Sequence, residues 1–281
     1  MIVGQMEQPF RVLRSNGRRQ SQVIAASPHS GRKYLSQFIH QANLPLHELR
    51  KVEDAGMDRL LTFQPLPSDL ILAEFPRSFV DVNRHADELD PDMFSSLPQD
   101  ILTKETRYTR SGLGVIPSRL GQHLPIYDRL LSQEDYLRRM KGCYYPYHEN
   151  LAAMLETAKR HGSAVLLDIH SMPSDASKKQ TDIVIGDLHG QSAKPWLTHL
   201  AQEFFAKAGF DVRLNTPFAG GYITRHYGRP DQGVSAIQIE INRRLYMDEQ
   251  HIRLRPRWVE MSKTLEQFIQ LVSQRLHQSH P

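Results

Sequence analysis

The chain has 281 residues, a formal net charge of +4 and one cysteine, a size that supports one large α/β domain with its own core. Cys143 alone excludes an intrachain disulfide and a multi-cysteine zinc site, so a bound metal must take His and carboxylate ligands. The charge excess is mild and dispersed, which argues against nucleic acid. With no run of about 20 apolar residues and no signal-like start, the expectation is a soluble cytoplasmic protein without membrane contact.

After a polar lead, residues 22–26 read as a short strand, and Ser27-Pro28-His29-Ser30-Gly31 turns out of it. His29 therefore sits at a strand-to-helix turn, with Gly31 where the backbone makes a close approach. A helix with Tyr34, Leu35, Phe38 and Ile39 on one face is predicted next. Residues 44–63 are helix-rich, with Glu53, Asp54 and Asp58 ahead of Leu60 and Leu61. These acids serve either a helix dipole or a metal; as a ligand Asp54 ranks before Glu53, and Asp58 lies one helical turn beyond it. Residues 70–74 form another strand. Beyond it, 79–82 predicts an extended piece around Asp81, an acid that needs Arg77 or Arg84 as partner. Arg84, beside Asn83, also offers a planar fork to a substrate carboxylate. From 85 to 145 the apolar periodicity fades. This segment reads as a loop-rich elaboration over the site, including a short helix at 133–140.

Residues 146–160 form a helix with Leu151, Met154, Leu155 and Ala158 on one side. His148 near its start faces the crevice, caps the helix or meets solvent. The helix feeds 164–173, AVLLDIHSMP. Its apolar opening reads as a strand buried on both faces, and Asp168, His170 and Ser171 follow at the end where open α/β sheets keep their ligand crevice. Taken alone, His170 reads equally as a strand-end histidine bonded to backbone. Residues 181–185 and 211–214 are strands on either side of a helix at 195–208. The loop at 215–222 carries Gly220 and Gly221 without dinucleotide spacing; with Arg225 and His226 just beyond, it reads as substrate-facing. In 234–241, alternation sets Gln238 and Glu240 on one face and Ile237, Ile239 and Ile241 on the other. Glu240 is either bridged to Arg243 or Arg244, or a general base. Residues 258–276 close the chain as an amphipathic helix. These elements predict an α/β fold in a single domain, 1–281, with a mixed, mostly parallel central sheet flanked by helices.

Two histidines at separate strand ends and an acid between them supply two imidazoles and one carboxylate. A catalytic zinc site has three such protein ligands and an open position. One Zn2+ ion on His29, Asp54 and His170 would make hydroxide available at neutral pH. Glu240 would accept the proton and pass it to a leaving nitrogen, and a guanidinium would stabilise the oxyanion. Neither Ser30 nor Ser171 occupies a nucleophile elbow, which sets a serine hydrolase aside.

The segments SPHSG at 27–31, ED…D at 53–58, RSFVDVNR at 77–84, DIHSMP at 168–173 and GGY…IQIEINRRLY at 220–246 together resemble the N-formylglutamate amidohydrolase family. The resemblance implies a zinc-carboxypeptidase-like fold and zinc-dependent hydrolysis of a small acidic N-acyl amino acid such as N-formyl-L-glutamate, with release of formate. It implies His29, His170 and the acid of the 53–54 pair as metal ligands and Glu240 as the base. Asn83 and Arg84 become the carboxylate-binding pair, and Arg77 an oxyanion or substrate contact. Ala55 stands where members acting in histidine breakdown favour an aromatic residue, so Glu53 stays open beside Asp54, as does the acyl group. Two alternatives stand beside this one: a zinc carboxypeptidase-type peptidase, and a non-catalytic binder of acidic metabolites.

Overall fold

The computed structural model describes residues 6–15, 21–121, 124–160, 162–176 and 181–278. The parts of the polar lead at 1–5 and 16–20 lie outside them. Within the lead is a strand not expected from the sequence, β1 (Phe10–Leu13). It is followed by β2 (Val23–Ser27), buried throughout. The next helix is shorter than its apolar spacing suggests: α1 (Ser36–Gln41) buries Phe38 and leaves Ile39 exposed. Residues 44–63 break into α2 (Leu46–Leu49), a 3-10 turn at Arg50–Val52, and α3 (Met57–Thr62). Gly56, with φ of 78°, forces the break before α3. Asp54 therefore lies in a loop and the one-turn spacing to Asp58 does not apply; Asp58 accepts from Arg32 at 2.9 Å instead.

β3 (Asp69–Ala73) leads to the RSFVDVNR segment. The extended piece expected at 79–82 is a succession of turns. Asp81 Oδ1 accepts the main-chain N–H of Asn83 at 2.8 Å, and this local bond outcompetes the strand preference of the flanking valines. The loop-rich stretch from 85 carries α4 (Arg107–Arg110), boxed at its start by Thr106 and Thr109, and a ribbon of β4 (Arg119–Leu120) and β5 (Leu124–Pro125). It buries Leu89, Val115, Ile116 and Ile126 in the core. It ends earlier than expected. α5 (Gln133–Arg139) passes through a π turn at Met140–Tyr144 into α6 (Tyr145–Lys159), so 133–145 belongs to one long helical rod. The π turn falls just ahead of Pro146, which has no N–H to give the helix ladder.

β6 (Ala164–Met172), β7 (Ile183–Gly186), α7 (Pro195–Lys207) and β8 (Val212–Leu214) follow. Then comes a helix not expected from the sequence, α8 (Tyr222–Tyr227), and β9 (Val234–Asn242). A ribbon of β10 (Met247–Asp248) and β11 (Arg253–Leu254) precedes α9 (Trp258–Gln278). Among the described residues the central sheet has seven strands in the order β1-β3-β2-β6-β9-β7-β8. β3, β2, β6 and β9 run parallel, while β1 and β7 pair antiparallel with their neighbours β3 and β9. This is the mixed, mostly parallel sheet the sequence predicts.

Both faces are covered, so every residue of the four parallel strands is buried. One face packs on α6 through Ile24, Ile71, Leu151 and Met154; the other packs on α3, α7 and α9 through Leu167, Ile237, Leu60, Phe205 and Phe268. The β6–β9 register pairs Asp168 with Gln238 and His170 with Glu240. Directly paired residues of parallel strands share a face, so four polar groups form a block near the carboxyl edge. No helix among the described residues is long and apolar enough to cross a membrane.

The turn that carries His29 depends on Gly31, where an added Cβ would fall 2.0 Å from the Phe75 carbonyl oxygen. Gly31→Ala should cost about 2 kcal/mol, read as a lower urea midpoint with an unchanged m value. An unmoved midpoint would show that the turn has room for a side chain.

Candidate active site

The turn after β2, the loop before α3 and the carboxyl end of β6 each send one side chain to a common point. His29 follows β2, Asp54 precedes α3 and His170 lies near the end of the β6 ladder, two residues before Met172 ends it. All three are buried, and one ligand atom from each lies within 4.8 Å of the others. Asp54 Oδ2 is 3.0 Å from His170 Nδ1 and 3.7 Å from His29 Nδ1. His29 Nδ1 has no hydrogen-bond partner although it is buried. A buried polar atom left that way is costly unless a further group meets it. The Asp54 main-chain N–H donates to the His29 carbonyl at 2.9 Å, which ties the two loops directly.

The far nitrogen of each imidazole is held by its own carboxylate. Asp81 Oδ1 lies 2.7 Å from His29 Nε2, and Asp168 Oδ1 lies 3.0 Å from His170 Nε2. In a neutral ring the carboxylate would hold the proton on Nε2 and turn the Nδ1 lone pair to the common point. Asp168 in turn accepts from the Thr224 hydroxyl at 3.2 Å, and Asp81 accepts from Arg77 at 2.7 Å. Burial opposes ionisation of Asp81, yet Arg77, His29 and Arg84 hold it well below the usual carboxylate range. Burial likewise opposes the charge on Asp54, and His170 and His29 overcome it. At His170, burial disfavours the cation, but Asp168, Asp54 and Glu240 raise its pKa well above the usual value. The cluster is thus short of positive charge. Two nitrogen donors with anchored far sides and one carboxylate fit a divalent ion such as zinc.

Glu53, the other candidate acid, points elsewhere. It accepts from the Tyr34 hydroxyl at 2.8 Å and from Arg50 at 3.1 Å. Asp54 Oδ1 accepts from the Ser171 hydroxyl at 3.1 Å and lies 3.5 Å from Arg243. Arg243 also donates to the carbonyls of Lys51 at 3.0 Å and Glu53 at 2.7 Å, so it clamps the acidic loop and does not bridge Glu240. Arg244 pairs with Asp182. Neither arginine partner offered to Glu240 by the sequence is therefore the one it uses. Its carboxylate accepts from Gln238 Nε2 at 2.7 Å. Burial pushes its pKa up to about 7, with Asp54 and Asp168 adding to the rise and His170 and Arg77 opposing it.

The remaining residues singled out in the sequence (Arg77, Asn83, Arg84, Gly220, Gly221 and Arg225) border the same 570 Å³ depression. Asn83 is largely committed: its side-chain oxygen accepts the Ile223 N–H at 2.8 Å, and its amide nitrogen lies 3.2 Å from His170 Nε2. A Cβ on Gly221 would come within 2.3 Å of that amide, so glycine lets the 220–221 loop close on it. Arg84 lies over the Tyr108 ring at 3.9 Å and donates to the Leu113 carbonyl at 3.0 Å. His148 does not line the depression; it is a half-buried strut between the Val82 carbonyl and the Tyr227 hydroxyl, each at 2.9 Å, and loss of solvation lowers its pKa to about 4.

Sequence reasoning missed Asp81 and Asp168 as imidazole anchors, Gln238 as the support of Glu240, and Arg243 as the clamp. Only the D-x-H spacing of Asp168 and His170 carried a signal, since residues two apart on a strand share a face.

Fold and site together define an α/β protein with a two-histidine, one-carboxylate cluster suited to a divalent metal at the edge of its sheet. Residues 21–247 match the profile of the N-formylglutamate amidohydrolase family, and the chain belongs to that family. It is 30% identical over 239 residues to the N-formylglutamate deformylase of Pseudomonas aeruginosa, a match spanning 81% of this chain and 83% of that one. It is 29% identical over 238 residues to the N-formylglutamate deformylase of Pseudomonas putida, spanning 81% and 82%. The crystal structure of N-formylglutamate amidohydrolase from Ralstonia eutropha JMP134 superimposes with a TM-score of 0.90 at 30% identity, covering 96% of this chain and 99% of that one.

If Asp81 and Asp168 orient the imidazoles, Asp81→Asn or Asp168→Asn should weaken divalent-metal binding about 10- to 100-fold in a direct titration. Unchanged affinity in both would remove them from that role. A second outcome concerns Glu240, whose folded-state pKa of about 7 lies above the ordinary 4.5. The stability gained from its neutral form is complete below the unfolded value and lost as pH rises through 7. With a chelator present, Glu240→Gln should therefore be the more stable protein above pH 7, by up to about 3 kcal/mol. The gap should close toward about pH 5 in thermal unfolding; a pH-independent gap would contradict the shift.

Proposed function

We propose that the protein hydrolyses the amide bond of a small acidic N-acyl amino acid, N-formyl-L-glutamate first among them, to formate and the free amino acid, with one zinc ion as cofactor. The observation that carries this is the position of Glu240, directly beside His170 in the sheet register and lining the depression that His29 and Asp54 also line. The names of the relatives from Pseudomonas and Ralstonia support the substrate. A zinc ion on His29, Asp54 and His170 would supply a Lewis acid that polarises the amide carbonyl and acidifies water.

The chain's own groups then have distinct tasks. Glu240, steadied by Gln238 and tuned toward neutrality, takes a proton from water at its carboxylate and delivers it to the departing amine nitrogen. Arg77 is held by Asp81 on one side and offers its remaining N–H groups to the developing oxyanion. Arg84 and Arg225 receive substrate carboxylates as planar forks, with Asn83 holding the loop that carries Arg225. A metal-free binder of acidic metabolites would leave the anchored imidazoles and the orphaned His29 Nδ1 without a task.

The test is formate release from N-formyl-L-glutamate by the zinc-loaded protein. Glu240→Gln should keep its metal and lose about 10²-fold or more in turnover. His170→Ala should bind zinc far more weakly, filling only at excess metal, and lose nearly all turnover. Hydrolysis that survives a chelator, or full turnover in Glu240→Gln, would overturn the assignment.

A further inference from the structure

The catalytic depression does not end at its arginine rim. A second cavity of 580 Å³ joins it through a shared wall that includes Arg84, Arg107, Tyr108 and Arg225. The guanidinium groups of Arg84 and Arg107 both stand against the one Tyr108 ring, at 3.9 and 4.7 Å from its centre. Arg107 also donates to the Tyr108 hydroxyl at 2.8 Å. Lys104 and Arg229 line the outer cavity but not the inner one.

Among the described residues, no ion pair engages any of these five cations, whereas Arg11, Arg32, Arg50, Arg138 and Arg244 are all paired. Of the two acids of the outer cavity, Asp87 meets the His85 ring, while Glu88 accepts the His85 main-chain N–H and offsets part of the Arg107 charge, leaving five cations against two acids. Unpaired like charges gathered in one groove repel each other and attract an anion. The inner depression alone has the volume of a complete small-ligand site, so a single formylated amino acid leaves unused Lys104 and the Nε and Nη2 side of Arg229, whose Nη1 donates to the Arg225 and Gly228 carbonyls.

We propose that the outer cavity is a subsite for a second acidic residue, so that the preferred substrate is an N-formylated acidic dipeptide. This rests on the deformylase function proposed above and extends its substrate class. The chemistry is unchanged. Water adds to the formyl carbon, the C–N bond breaks, the nitrogen gains a proton, and a glutamyl dipeptide leaves as the free amine beside formate. Arg107 and the Nη2 end of Arg84, whose Nε and Nη1 donate to the Leu113 and Asn83 carbonyls, stand on one aromatic ring as adjoining donors to successive carboxylates.

The experiment compares kcat/KM for N-formyl-L-glutamate and N-formyl-L-glutamyl-L-glutamate, in the wild type and in a Lys104→Ala, Arg229→Ala double variant. The dipeptide should be favoured about fivefold or more in the wild type, chiefly through KM, and the advantage should shrink as salt rises. The double variant should bring the ratio near one while its turnover of N-formylglutamate is unchanged. A dipeptide no better than the single residue, or an advantage that survives the double substitution, would overturn the proposal. If neither compound is hydrolysed, the deformylase assignment fails. Calorimetric binding of glutamyl-glutamate against glutamate to Glu240→Gln then decides the subsite: tighter binding of the dipeptide supports it, and equal binding refutes it.

Discussion

Two hydrogen bonds govern the site, one from His29 to Asp81 and one from His170 to Asp168. Each fixes an imidazole by its Nε2 edge and turns the Nδ1 edge inward, so that two nitrogen donors meet the Asp54 carboxylate. Without those bonds the rings would be free to rotate, and three groups from distant parts of the chain would share a neighbourhood but no focus. The same carboxylates crowd the cluster with negative charge, which holds the His170 pKa well above its usual value and suits a cation.

The scaffold supports this arrangement at several levels. The parallel β6–β9 register sets Asp168, His170, Gln238 and Glu240 in one block, so Glu240 and His170 are positioned by the same ladder. Asp81 is held by Arg77 and by the Asn83 main chain, and Asp54 by Ser171 and the Arg243 clamp. Every anchor is itself anchored. Site geometry then survives thermal motion because each side chain has one low-energy orientation. The arginine rim differs: Arg107 and Arg225 are exposed and outside any ion pair among the described residues, as suits groups whose partner is a ligand.

Much of this was legible in the sequence, and the misses share a cause. His29 and His170 were visible because polar residues follow apolar strand runs, and the alternation of β9 exposed Glu240. Family resemblance, borne out by the profile match over residues 21–247, connected these pieces. Asp54 ranked before Glu53 in sequence, but the choice stayed open because adjacent side chains diverge only once the loop is shaped. That shape comes from Gly56 and from Arg243, which is 190 residues beyond Glu53. Asp81 announced a need for a partner, and Arg77, one of the two arginines expected, fills it; the second partner, His29, lies 52 residues away. The turn at 79–82 was hidden by valines, and the long α5–α6 rod by Gly142 and Pro146, residues that break most helices.

The central claim is that His29, Asp54 and His170 share one ion with a position left open. X-ray absorption at the zinc edge of the loaded protein tests it most directly. The account predicts one zinc per chain with a shell of two imidazole nitrogens, carboxylate oxygen and a light solvent atom, losing an imidazole in His29→Ala and again in His170→Ala. Zinc bound with no imidazole in its shell, or a shell unchanged by either substitution, would contradict it.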